Sequence, residues 1–153
     1  GKPEAFLNTP ANESDPAFSP DGRWIAYTSN ESGTSEVYVR PFQGAEGKWK
    51  ISTSGGVQPV WSLATNELLY LTNRSPRTIM AASYADQGGS FRAQAARPWS
   101  PGTVAPRGIS RVFDLHPDGQ RVAIAKPLEE ATEGRDKAVF VLNFFEELRR
   151  VAR

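Results

Sequence analysis

The chain has 153 residues, with 39% apolar, 10% aromatic and 23% charged side chains, and 13 Gly beside 12 Pro, a composition of one ordinary globular domain rather than a disordered, collagen-like or membrane chain. Its 18 Lys plus Arg against 17 Asp plus Glu leave a formal charge of +1, so net charge directs it to neither nucleic acid nor an anionic lipid surface. Cysteine is absent, which excludes disulfides, thiolate nucleophiles, iron–sulfur clusters and cysteine zinc sites.

The chain opens Gly1-Lys2-Pro3, without an initiator Met or a basic-then-apolar secretory pattern. It reads as a fragment or processed product whose address signals lie outside it, so the residues do not disclose the compartment. The longest apolar run, Ala138 to Leu142, is far short of the ~20 residues that cross a bilayer, and no membrane insertion by this chain is expected.

Short apolar–polar alternations bounded by Gly, Pro, Asn, Asp and Ser predict an all-β fold. Ala5 to Thr9 reads as an outermost strand. Pro16-Ala17-Phe18-Ser19 is followed by the turn Pro20-Asp21-Gly22, then by the strands Arg23 to Ser29 and Glu36 to Phe42, with Asn30 to Ser35 between them. Proline presets φ at the turn corner, glycine permits positive φ, and Asp21 can accept from the backbone, so Ser-Pro-Asp-Gly has a mechanical reason to reverse the chain. Lys48 to Thr53 forms a fourth strand.

The pattern then repeats. Pro16-Ala17-Phe18-Ser19 with Ile25-Ala26-Tyr27 returns 43 residues later as Pro59-Val60-Trp61-Ser62 with Leu68-Leu69-Tyr70. It returns a further 54 residues on as Val112-Phe113-Asp114-Leu115-His116-Pro117-Asp118-Gly119 with Val122-Ala123-Ile124. The third strand recurs as Thr78 to Ser83 and as Lys137 to Leu142. The second copy departs from the first, holding Ala64-Thr65-Asn66 in place of the Pro-Asp-Gly turn, and Ala85 to Pro106 is long and rich in Gly, Pro and Ala.

Four short strands recurring at about 43 residues predict propeller blades. A β-sandwich has similarly spaced strands but does not require a turn motif and two strand motifs to recur in one order. The run Asn12 to Gly33, with Ser19-Pro20-Asp21-Gly22-Arg23-Trp24-Ile25-Ala26-Tyr27 at its centre, resembles the WD-repeat-like unit of TolB-type β-propellers, and the resemblance covers most of the chain. The terminal run Val139 to Arg150 is similar to the end of TolB-like propellers that form the C-terminal part of some bacterial membrane Ser/Thr kinases. The kinase Gly-rich loop, His-Arg-Asp and Asp-Phe-Gly motifs are absent from this sequence. The resemblance implies an extracytoplasmic, periplasmic setting.

The expected organisation is a partial propeller of about three four-stranded blades with a short C-terminal helix. Residues 1–11 belong to a preceding or partner blade, 12–56 to blade 1, 57–106 to blade 2, 107–143 to blade 3 and 144–153 to the helix. Asn143 caps that helix, Glu146 and Glu147 occupy its first turn, and Phe144, Leu148 and Val151 make its apolar stripe. Three blades do not close a ring, which takes about four to eight. Two readings follow: a homodimer in which strand exchange completes a six-bladed ring, or the C-terminal half of a longer single-chain propeller.

No constellation of catalytic residues is legible. His116 is the only histidine, so any Ser-His-Asp arrangement must use it, yet it occupies the serine position of a turn. Asp21 and Asp118 read as turn acceptors, no calcium-loop spacing occurs, and no cofactor is expected. Trp61 matches Phe18 and Tyr70 matches Tyr27, positions expected to pack between blades. The loops leading into inner strands and joining second to third strands fall at one end of the blades. Their Asn12, Glu13, Asp15, Asn30, Glu31, Gln58, Arg74, Arg77, Arg107 and Arg111, with the loop from Glu129 to Arg135, form a mixed-charge rim that reads as a protein-docking face. The expected function is non-catalytic protein binding or sensing for a protein partner of unidentified kind. The alternative is the gating propeller of a larger hydrolase, such as an oligopeptidase.

Overall fold

Three chain reversals repeat one backbone hydrogen bond. Ser19 N–H donates to the Trp24 carbonyl at 2.9 Å, Ser62 N–H to Glu67 at 3.0 Å, and His116 N–H to Arg121 at 2.8 Å. The first and third turns are also closed by Gly22 N–H on Ser19 O and Gly119 N–H on His116 O, each glycine at φ 70°. In the second, where Pro-Asp-Gly is missing, the Ser62 hydroxyl receives the N–H groups of Ala64 and Thr65 instead. Serine thus replaces by its side chain what the motif supplies by its backbone.

The computed structural model describes residues 2, 5–43, 46–87, 89–104 and 111–124. Among them the fold is all-β, with antiparallel sheets and none closed. The first sheet runs in the order β1 (Glu13–Phe18), β2 (Trp24–Ser29), β3 (Glu36–Pro41), β4 (Trp49–Lys50). In the second, β5 (Val57–Trp61), β6 (Glu67–Leu71), β7 (Arg77–Gln87) and β8 (Ser90–Ala93) follow one another, and β9 (Arg97–Val104) also pairs with β7. The third is a hairpin of β10 (Phe113–Leu115) and β11 (Val122–Ile124). The expected strand 137–142, the helix 144–153 and the loop 129–135 lie outside the described residues.

Side chains alternate across each strand, and the alternation stacks the sheets. Trp24, Ala26, Val37 and Val39 on one face of the first sheet pack with Trp61, Leu68, Tyr70 and Ala82 of the second. The opposite face of the second sheet, Leu69, Leu71, Ile79 and Ala81, packs with Phe113, Val122 and Ile124 of the third. Burial on both faces explains why Leu68-Leu69-Tyr70-Leu71 is continuously apolar rather than alternating.

Ala5 to Thr9, expected to pair in a preceding or partner blade, pairs with no described strand of this chain; the segment lays Leu7 on Ile25, Tyr27 and Tyr38 and Phe6 on the ring of Phe42. One expectation is corrected. The expected strand Lys48 to Thr53 is only Trp49–Lys50, because beyond it Val37 N–H bonds the Ser52 hydroxyl at 2.8 Å instead of a backbone carbonyl. The Gly- and Pro-rich stretch after Ala85 supplies β8 and β9: β7 is long enough to pair with β9 along Arg77–Ala81 and with β8 along Tyr84–Gln87, and Asp86 Oδ1 receives Gly89 N–H at the bend.

Candidate functional site

The sheet ends opposite the three turns carry the rim residues. Sheet pairing sets Glu13 beside Ser29, so the start of β1 and the end of β2 emerge together. Asn30 Oδ1 accepts Asn12 N–H at 2.9 Å, which latches the two loops. Glu13 receives the Thr9 hydroxyl, and Glu31 pairs with Lys48 at 2.6 Å. Asn12, Asn30 and Glu31 are exposed and Glu13 is half-buried.

Asp15 and Gln58 do something different. Each sits at a register shift, between Ser14 and Ala17 in β1 and between Val57 and Val60 in β5, with backbone in the left-handed region. A bulge re-aims its side chain, and here it aims both toward the following sheet. Asp15 Oδ2 receives the Thr28 hydroxyl at 3.0 Å, whose oxygen in turn receives Gln58 N–H at 3.2 Å. Gln58 Oε1 then receives Val112 N–H at 3.3 Å. A polar relay runs through three successive sheets, and Gln58 is buried within it rather than on the rim.

The basic members lie on the second and third sheets. Arg74 is exposed in the β6–β7 connection and Arg77 begins β7; neither has an ion pair among the described residues. Arg111 reaches Pro59 O at 3.4 Å and lies 3.9 Å from Asp114. Arg107 lies outside the described residues. The rim is therefore segregated, with carboxylates on the first sheet and guanidinium groups on the second and third.

Sequence reasoning missed the buried cluster beneath this rim. Glu36, 2% exposed, receives the Ser52 hydroxyl and Gly55 N–H and faces Lys50 Nζ at 3.2 Å. Gly56 N–H and the Asn73 amide both donate to Ser35 O, tying the first rim loop to the second sheet. The available signal was a glutamate opening an apolar strand opposite Ser-Gly-Gly, since a buried carboxylate needs donors and glycine leaves backbone N–H groups accessible.

At the other pole, Asp21, Arg23, Leu63, Asn66, Tyr84 and Asp86 line an open groove of about 480 Å3, spanned by the Arg23–Asp86 ion pair. His116 is held in its turn, with Nδ1 receiving Asp118 N–H and the ring 3.2 Å from the Arg121 guanidinium. Asp118 is held down at about 2 by Gln120 N–H first and by Arg121 and His116 as well, as a turn acceptor should be. No group of three or more His, Asp or Glu that could hold a metal occurs among the described residues, and no described helix is long and apolar enough to cross a membrane. Comparison with protein-family models and with curated proteins finds no match.

Proposed function

We propose that this chain is a non-catalytic protein-binding module: a propeller-type, TolB-like stack of repeated sheets that holds a charged loop rim for recognition. The observation that carries the reading is the triple recurrence of one turn bond at Ser19, Ser62 and His116. It gives successive sheets one polarity, so the loops at their other ends gather on one side. Rigid sheets that present loops in this way commonly carry binding. Arg74 and Arg77 offer planar donors suited to carboxylates, so the ligand class is a protein segment bearing Asp or Glu. The single histidine supports a role without chemistry, since its ring is occupied by turn contacts.

Selection of a displayed random 12-residue peptide library on the immobilised chain tests this. Acidic peptides should be enriched, and the double variant Arg74→Glu, Arg77→Glu should weaken their binding at least about tenfold, equal to ~1.4 kcal/mol. Failure to enrich peptides, or binding indifferent to the double reversal, overturns the reading.

A further inference from the structure

The turn pole is built differently from the rim. The second and third turns touch there: a Cβ on Gly119 would lie 3.0 Å from Ser62 Oγ and 3.1 Å from Ala64 Cβ. The first and second turns instead flank the open groove of about 480 Å3. Tyr84 and Asp86 complete its lining, and both belong to the part of β7 that runs on past β6 to pair with β8. The long stretch that departs from the repeat therefore helps to shape this groove. On its wall stands Leu63, 66% exposed and the most exposed large apolar side chain among the described residues.

The groove also carries a surplus of negative charge. Asp86 Oδ1 receives Gly89 N–H at 3.0 Å, and Oδ2 meets the guanidinium of Arg23, whose side chain is 53% exposed. Asp21 Oδ1 receives the Ser19 hydroxyl and Arg23 N–H, but its carboxylate has no ion pair among the described residues. Burial first, and then the charges of Asp21 and Asp86, raise the Tyr84 hydroxyl above its ordinary range, so both carboxylates act on one part of the groove. Two carboxylates thus face one guanidinium, and Arg23 shows which group the groove holds.

We propose that this groove docks a protein segment in which a Lys or Arg adjoins an apolar residue. The incoming cation takes the place of Arg23 on Asp86, the charge of Asp21 adds to its hold, and the apolar side chain covers Leu63. Charge complementarity selects this occupant over an acidic one, and a half-exposed ion pair is weak enough to yield.

The inference uses no rim contact. Its test is the same displayed peptide library on the full chain, with binding of the selected peptides read by fluorescence anisotropy. Basic peptides bearing apolar neighbours should be enriched beside the acidic ones. Leu63→Arg and Asp86→Asn should each weaken the basic class at least about tenfold, the scale of a charge-assisted hydrogen bond. Both variants keep the fold's contacts, since Leu63 is exposed and Asn retains the acceptor for Gly89 N–H. Arg23→Ala should tighten the basic class about threefold by removing the competing guanidinium, a gain that misfolding does not produce. Absence of basic peptides, binding indifferent to Leu63→Arg and Asp86→Asn, or binding unchanged or weakened in Arg23→Ala overturns the inference. Arg74→Gln with Arg77→Gln should weaken the acidic class and spare the basic one. Enrichment of acidic peptides alone overturns the groove and leaves the rim reading standing; enrichment of basic peptides alone does the reverse.

Discussion

Asp15 and Gln58 stand at the same step of two successive sheets, both in left-handed backbone, with φ of 54° and 56°. Non-glycine residues adopt that region at a cost of about 1–2 kcal/mol, and the recurrence identifies what offsets it. Each bulge turns a polar side chain toward the next sheet, where Asp15 reaches Gln58 N–H through Thr28, and Gln58 reaches Val112 N–H directly. The sheets are stacked by apolar faces, and the relay fixes their order and height.

Gln58→Leu should therefore destabilise the protein by about 1–3 kcal/mol, since the side chain of similar size leaves the buried Val112 N–H without its acceptor. A lower urea midpoint at unchanged m value is the expected result. An unchanged midpoint would show that the relay does not hold the third sheet.

Much of this was legible in the sequence, and the limits have physical causes. The turns at Ser19 and His116 were readable because Pro and Gly constrain φ locally, and the strand order was readable because the motifs recur. The bulges were not, because Asp15 and Gln58 differ in residue type and no local pattern marks a left-handed backbone at a polar non-glycine residue. Gln58 looked like a rim residue from its place at the start of a strand, and tertiary stacking buried it. Ala5 to Thr9 stands before the first repeat where Trp49 to Thr53 stands before the second, yet a strand exists only where a neighbour supplies a ladder, and position in a repeat does not reveal a missing neighbour.

Gly55 and Gly33 both have strongly positive φ, 94° and 90°, but only one is enclosed. A Cβ on Gly33 meets nothing within 4 Å, while a Cβ on Gly55 overlaps the Asn73 side-chain amide, which itself donates to Ser35 O. Gly33→Ala should cost about 1–2 kcal/mol through backbone strain alone. Gly55→Ala should cost about 3 kcal/mol or more, because overpacking adds to the strain. Thermal unfolding of the pair separates the two contributions, and equal losses would rule out the Asn73 contact as the reason.

Trp61 joins the sheets through both halves of its side chain. Its ring packs with Trp24, Ala26, Val37 and Val39 of the first sheet, and Nε1 donates to Ala17 O at 2.9 Å. Trp61→Phe keeps an aromatic ring but removes the donor, so a loss of about 1–2 kcal/mol is expected. Trp61→Ala also opens a cavity and should cost about 3–5 kcal/mol. Chemical denaturation measures both, and similar losses would mean that the indole hydrogen bond, rather than packing, dominates the joint.

Alkaline pH should loosen the same joints from within. Tyr70 is pushed up to about 12 by burial and then by the nearby Glu36 charge. Tyr27 is pushed up to about 12 by burial and then by Glu31, with Arg40 opposing. An unfolded tyrosine titrates near 10, so below that pH both states keep the proton and stability is unaffected. Between about 10 and 12 the unfolded chain releases protons that the folded chain retains, so the unfolded state binds fewer and stability falls as pH rises. The fall should continue until the folded-state hydroxyls ionise near pH 12. Urea midpoints taken from pH 8 to 11.5 should decline above pH 10, and Tyr70→Phe should make that decline shallower by removing one titrating group. A decline of equal slope in wild type and Tyr70→Phe would place the alkaline sensitivity elsewhere than at Tyr70.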